Sequence, residues 1–288
     1  MGNGKSLTQT EADQNKKVLD YETRTKRNHY WVGGSTGQEK LKKLKVGVAG
    51  LGGMGSNIAE IFARLGVTHL RLTDPDTIER TNINRQVIAF EDTIGHKKAD
   101  ASAADIRRIS PDITLHVSTE GIQESNVEVF VEGLDVVVNE IDVFHIDKQI
   151  LLIEAAHRRG IPVYTTLVVG LGIHLYKFDP KNGFAARDFL GRIIKEPSAE
   201  NLVRQLGSPY PAYLNQTLTG FITQIKTGDV PIFGASTYLG QSMLAIRVLY
   251  DLGLIQVPPG IPATPSLPEF LMLDPLTLEL KTVRIPEN

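Results

Sequence analysis

The run TDPDTIERTNINRQ, Thr73 to Gln86, places two Asp, a Glu, two Asn, two Arg and a Gln in one short stretch. Shortly before it, GLGGMG (Gly50 to Gly55) has the spacing G-x-G-x-x-G. Glycine at Gly50, Gly52 and Gly55, with Gly53 between, leaves room for a tight turn, an approaching phosphate and close helix packing. A helix starting near Met54 would direct its backbone N–H groups at that phosphate. Asp74, ending the next apolar run, is the carboxylate expected to meet a ribose. A nicotinamide enzyme asks nothing more of this second turn, because its reacting groups come from later strands. A triphosphate asks for Arg, Lys and Mg²⁺ to neutralise its β and γ phosphates, and for a hard oxygen ligand to the metal. Arg85, the neutral donors Asn82 and Gln86, Lys98 at the head of a helix and Asp142 after DVVVNEI supply such a set. Lys and Arg converging on phosphates opposite an Asp suit nucleotidyl transfer from ATP. Each residue also has a plainer use. The glycines can serve a turn alone, Asp142 can cap the following helix, and Asp76 and Glu79 can cap or pair within their loop.

These residues must be held by strands and helices, and the chain alternates between the two. KVGVAG precedes the glycine turn, and SNIAEIFARLG after it carries Ile58, Ile61, Phe62 and Leu65 at helical spacing. HLRLTD, a helix over Lys98 to Ile109, ITLHVS, a helix from Ser125, LDVVVNE, a helix from Ile146 to Arg159 and IPVYTTLVV follow. Strands separated by single helices predict an α/β fold, a Rossmann-like doubly wound, mostly parallel sheet. GIHLYKFDP follows its predecessor after a Gly-containing turn and should be antiparallel, as should the hairpin FLMLDPLTLELKTVRI. The expected organisation is an N-terminal arm over 1–44, partly disordered and partly helical, then one domain over 45–288. Within it lie a crossover segment at about 180–232, an apolar helix from Ser236 to Leu252, the Pro-rich Val257 to Pro268 and a hairpin over 269–286. Tyr30 and Trp31 in the arm are expected to pack on the core.

With 31 basic and 33 acidic residues, the 288-residue chain has no net attraction for phosphate polymers or anionic membranes. Nucleic acid is not an expected partner. Cysteine is absent, which excludes thiolate metal sites and enzyme thioesters. Seven His are scattered without a zinc-binding spacing, so no zinc is expected, and no G-x-S-x-G supports a hydrolase. No run reaches the roughly 18 apolar residues of a membrane helix, and the reading is a cytoplasmic protein. Gly4-Lys5-Ser6 lacks the strand and first glycine of a phosphate loop, and Gly2 with Ser6 is a weak match to the N-myristoylation pattern.

The glycine turn, the run D-x-D-x-[VI]-E-x-x-N-x-x-R-Q, Gly95 to Lys98 as G-x-x-K, and Asp142 with Phe144 as D-x-F together resemble the ThiF/MoeB-type adenylyltransferases. These are the ubiquitin-activating-enzyme-like proteins. GQEKLKKLKVGVAG, STYLGQSMLAIRVLYDLG and the closing hairpin extend the resemblance over most of the chain. It implies that Gly50, Gly52, Gly53 and Gly55 form the nucleotide turn, with Asp74 on the ribose and Asp76 beside it. It further implies that Asn82, Arg85, Gln86 and Lys98 hold the phosphates and Asp142 the magnesium or the reacting phosphate. Arg27 would reach the triphosphate of the neighbouring subunit in a homodimer, with Arg24 as the runner-up. The implied substrate is the carboxylate of a small ubiquitin-like or sulfur-carrier protein or a peptide. The chain departs from the family pattern at Val143 and Lys148, where Asn and Arg are common, and in lacking both CxxC pairs and the catalytic cysteine. The rival readings are a catalytically silent nucleotide-binding scaffold of the same fold and an NAD-dependent oxidoreductase.

Overall fold

The computed structural model describes residues 20–195, 198–207, 211–227 and 230–285. Gly2, Gly4-Lys5-Ser6 and the polar stretch around them lie outside the described residues. Eight strands form one sheet: β1 (Lys45–Ala49), β2 (His69–Thr73), β3 (Thr114–Ser118), β4 (Val136–Asn139), β5 (Val163–Val169), β6 (Gly172–Phe178), β7 (Glu269–Asp274) and β8 (Glu279–Arg284). Their order is β3-β2-β1-β4-β5-β6-β7-β8. The first five are parallel and the last three antiparallel, as the sequence pattern predicts.

Both faces of the sheet are covered, which explains the unbroken apolar run of β4. Side chains alternate between the faces. Val136 and Val138 join Val46, Val48, Phe62, Leu244 and Val248 in one core. Val137 joins Ile150, Ile153, Val163, Tyr176 and Phe189 in the other. Helices Gly55–Leu65 and Gly234–Asp251 supply the first core, and Ile146–Arg158 and Ala186–Lys195 the second. Strand order reverses between β1 and β4, so a crevice opens beyond their C-terminal ends.

Two local expectations are corrected. The helix expected from Ser125 is only Val127–Val131, ending in extended backbone at Glu132 before Gly133 at φ 67°. Tyr30 and Trp31 do not pack on the core, being 82% and 60% exposed. Gly33 and Gly34 both have positive φ and bend the arm there, and Gln256 N–H donates to the Trp31 carbonyl. The arm is fixed instead by Tyr21, whose hydroxyl donates to the Gly66 carbonyl at 2.8 Å. Helix Gly234–Asp251 turns only part of its apolar surface to the core. Leu244, Ala245, Val248 and Leu249 are buried, while Ile246 is exposed. Among the described residues no helix is long and apolar enough to cross a membrane.

The crossover between β6 and Gly234–Asp251 is helical, with Ala186–Lys195, Ala199–Leu202 and Ala212–Lys226. One buried carboxylate ties it to the sheet. Tyr213 donates its hydroxyl to Asp274 Oδ2 at 2.6 Å and accepts Leu171 N–H at 2.9 Å. Asp274 Oδ1 accepts the N–H groups of Leu276 and Thr277, each at 2.9 Å. Burial works against this charge, but the Tyr213 and backbone donors outweigh it and hold the carboxyl below its usual range. Asp274→Ala, which leaves three donors without their acceptor, should therefore cost about 3 kcal/mol in denaturant unfolding, and Tyr213→Phe about 1 kcal/mol. Because the folded pKa is depressed, this contribution is present at neutral pH and should fade as pH falls through that pKa.

Candidate active site

The crevice at the reversal point holds a cavity of about 360 Å³. Its floor is the glycine turn. Gly50 has φ 87°, and a Cβ there would lie 2.2 Å from the Glu140 carbonyl oxygen. A Cβ on Gly55 would lie 1.7 Å from the Gly50 carbonyl. These two glycines let the ends of β1 and β4 and the start of the helix occupy one small space. Gly53 is covered by the stem of Arg85, whose Cγ would be 2.8 Å from an added Cβ. Gly52 differs, because an added Cβ would meet only Gln86 Nε2 at 3.7 Å, and the residue lines the open cavity.

Asp74 is buried and fixes the turn against β2. Its Oδ2 accepts Leu51 N–H at 2.5 Å and its Oδ1 accepts Asp76 N–H at 2.8 Å. Burial raises its pKa, partly offset by the Lys98 charge and these two N–H groups. The loop after β2 folds upon Asn82, whose Oδ1 accepts Glu79 N–H while its carbonyl accepts from Arg85 and Gln86. Ile78, Ile88 and Ala89 pack beneath this loop as a small core. Gln86 is buried with its Oε1 unpaired.

The charges converge on the cavity walls. Lys98, nearly buried, pairs with Asp76 at 2.8 Å. Arg85 donates to the Thr81 carbonyl and to Asn84 Oδ1, at 3.2 and 2.9 Å. Its pKa is lowered by burial, against the opposing pull of the Asp142 charge. Asp142 Oδ1 accepts Phe144 N–H at 2.9 Å, turning the chain into helix Ile146–Arg158, which carries no side-chain cap of its own. His145 and Lys148 line the same wall as Asp142.

Gly50, Gly52, Gly53, Asp74, Asp76, Asn82, Arg85, Gln86, Lys98 and Asp142 thus all line one pocket, with Gly55 packed directly beneath. Arg27 does not line it, lying exposed on the 3-10 turn Lys26–Asn28, and Arg24 is engaged with Asp112 at 3.0 Å. Sequence reasoning missed Glu140 and Thr166 in the pocket wall, and Gln241, which hydrogen bonds to both. The only signal for Glu140 was a charged residue directly after the apolar run of β4. The chain's own residues suit a nucleotide. An open glycine lies beside an unpaired buried amide, a buried carboxylate sits at the second strand, and three cations line the same pocket as Asp142. Among the described residues no group of three or more His, Asp or Glu is placed to hold a metal. Asp142 is a single carboxylate of the kind that holds Mg²⁺ together with substrate phosphates.

A glycine turn at the reversal point of a doubly wound sheet, rimmed by basic and amide side chains, defines a Rossmann-like nucleotide-binding protein. More specifically, the chain belongs to the ThiF family, whose pattern matches residues 26–288. It is 36% identical over 146 residues to the SAMP-activating enzyme E1 of Haloferax volcanii, covering 51% of each chain. It is 36% identical over 135 residues to the tRNA threonylcarbamoyladenosine dehydratase of Bacillus subtilis, covering 46% of this chain and 52% of that one. The chain thus spans about half the length of these curated relatives. The fold is shared with Escherichia coli MccB at a TM-score of 0.66 and 18% identity, over 98% of this chain and 81% of that one.

The glycines separate into two experimental classes. Gly52→Val should leave the melting temperature near that of the parent while lowering ATP affinity at least tenfold, because its side chain projects into the cavity. The sequence alone suggests the same for Gly55→Val. Against the Gly50 carbonyl that variant should instead lose stability, which circular dichroism melting would separate from a binding defect.

Proposed function

We propose that the protein is an ATP- and Mg²⁺-dependent adenylyltransferase. It activates the C-terminal carboxylate of a small ubiquitin-like or sulfur-carrier protein, or of a peptide, as an acyl adenylate. The observation that carries this reading is that Arg85, Lys98 and Lys148 line the same pocket as Asp142 and the glycine turn. Asp74 suits the ribose, the N–H groups of the turn and the donors Asn82 and Gln86 suit the phosphates, and Arg85 and Lys98 face the charge that shifts to pyrophosphate. A bound Mg²⁺ would neutralise phosphate charge from the Asp142 side. The substrate carboxylate attacks the α-phosphorus and pyrophosphate leaves. Positioning and charge neutralisation suffice for this step, and with no cysteine no enzyme thioester follows it. The cation set distinguishes this reading from an oxidoreductase, while a silent scaffold would bind ATP without turnover. The relative named as a SAMP-activating E1 supports a carrier-protein substrate.

Carboxylate-dependent exchange of labelled pyrophosphate into ATP tests the activity, and hydroxylamine should trap the acyl group with release of AMP. Arg85→Ala, Lys98→Ala and Asp142→Ala should each slow exchange about a hundredfold, roughly 3 kcal/mol, while AMP still binds. Asp74→Ala should weaken AMP and ATP alike. ATP binding without exchange for any carboxylate offered would favour the scaffold. For Arg27 the proposal is contact with the partner's site in a homodimer. Mixing Arg27→Ala with Asp142→Ala subunits should then restore part of the activity, and failure in a verified heterodimer would remove Arg27 from the site.

A further inference from the structure

The nucleotide pocket does not end at its charged wall. It continues into a small cavity of about 40 Å³, and the two share Val143, Leu167, Val168 and Val230 at their boundary. Every residue lining the small cavity is Val, Leu, Ile or Phe, and Leu214 and Phe221 of helix Ala212–Lys226 belong to it alone. A water held there would need about two to four polar partners, and the lining side chains offer none. An empty apolar space leaves its walls short of dispersion contacts, which a hydrocarbon group restores. Strand order indicates which part of a reaction complex lies beside it. Asp74 after β2 and Gly121 to Gln123 after β3 lie to one side of the glycine turn, while Val143 after β4 and Leu167 and Val168 on β5 lie to the other. With the nucleoside on the β2 side and the α-phosphorus at the turn, the group that attacks the phosphorus is left the β5 side.

Strand β5 also offers main-chain partners to that group. It pairs with β4 only at Val137–Val163 and Val138–Tyr164, then runs on to Val169 with this edge free of β4. Thr166 N–H points off the same edge, to Glu140 Oε1 at 3.1 Å. The two-residue period of a strand sends the N–H and C=O of Val168 the same way, beside the apolar cavity. An extended peptide is the kind of ligand that uses a strand edge and a neighbouring side-chain pocket together. We propose that the small cavity is the side-chain subsite of the carboxylate substrate, so that the protein activates chains ending in a branched aliphatic residue of about valine size, laid along the open edge of β5. This rests on the adenylation reading and narrows its substrate class. Size sets the upper limit, since benzene needs an apolar cavity of about 150 Å³ and this one has about 40 Å³. A terminal Gly leaves the cavity empty, and a terminal Asp places a charge in it without a partner.

The test uses adenosine sulfamates acylated with N-acetyl-Gly-X, stable stand-ins for the acyl adenylate in which X is Gly, Val, Phe or Asp. Calorimetry of the intact protein gives their affinities beside that of AMP. The valyl compound should bind at least about tenfold more tightly than the glycyl one, the gain expected from filling an apolar pocket with a few carbons. The aspartyl and phenylalanyl compounds should fall below the valyl one. Exchange of labelled pyrophosphate with the free N-acetyl-Gly-X acids should rank kcat/KM in the same order. Phe221→Ala enlarges the cavity from the side away from the nucleotide, so the phenylalanyl compound should gain about tenfold, a change that misfolding cannot produce. Val230→Phe narrows the mouth and should bring the valyl compound down to the glycyl affinity. Glycyl and valyl compounds bound equally, and both more tightly than AMP, would overturn the apolar subsite and leave adenylation standing. No gain over AMP for any of the four would overturn the adenylation reading and the subsite with it. A valyl preference that neither variant alters would place the selectivity elsewhere and overturn the assignment of this cavity.

Discussion

The contact between Gly55 and the Gly50 carbonyl is the constraint from which the rest of the site follows. Even a methyl group at residue 55 would be driven to 1.7 Å from that oxygen, and one at residue 50 to 2.2 Å from the Glu140 carbonyl. With neither present, the end of β1, the first turn of helix Gly55–Leu65 and the end of β4 meet as bare backbone. Leu51 N–H then falls within reach of Asp74 Oδ2, which adds the end of β2 to the same point. Three strand ends converge where the strand order reverses, and the crevice opens just past them. Asp142, two residues beyond the residue that packs under the turn, lines the same pocket.

The walls of this crevice hold charge in a partly desolvated setting, and each charged group is occupied by a weak internal partner. Lys98 is nearly buried but its Asp76 partner is 62% exposed at the side chain, so the pair is largely open to solvent on the acidic side. Such a pair adds little to stability and is easily exchanged for a stronger anion. Arg85 has only a carbonyl and an amide oxygen as acceptors, neither of them charged. Desolvation with no carboxylate in direct contact is costly to a guanidinium, and a phosphate would relieve it. The electrostatics are better satisfied with an anion in place than without one, which fits a binding site more closely than a structural ion-pair network.

How much of this could be read from the sequence depended on separation along the chain. Gly50 to Gly55, Asp74 to Gln86 and Lys98 form a nearly continuous stretch, so their types and spacing were legible together, as was the strand alternation that positions them. Gln241 and Glu140 are 101 residues apart, and nothing local marks either as a partner of the other. Glu140 also stood in a run read as plain strand. Helix Gly234–Asp251 has apolar residues on more than one face, with Leu244 and Val248 buried and Tyr238 and Ile246 exposed, so periodicity could not choose which face is core. Tyr30 and Trp31 show the same limit, since side-chain type alone gives no account of the bend that Gly33 and Gly34 introduce after them.

The absence of cysteine places a demand on the pocket under the proposed reading. An enzyme with a thiol can move its acyl group to a second location before the acceptor arrives. On that reading the acyl adenylate would be made and consumed where it forms, with carboxylate and acceptor approaching through the same opening. The pocket is divided accordingly. Arg85, Lys98, Lys148 and Asp142 mark its charged side, while Leu167, Val168, Val230 and Ile232 present an apolar side from β5 and the end of the crossover. That apolar wall continues into a second small cavity lined by Leu202, Leu214, Phe221 and Ile225. Apolar surface beside a reactive mixed anhydride disfavours water, the competitor that would hydrolyse it. On the proposed reading, the helices of the crossover, held to the sheet through Tyr213 and Asp274, would do for the intermediate by exclusion what a thioester would do by covalent capture.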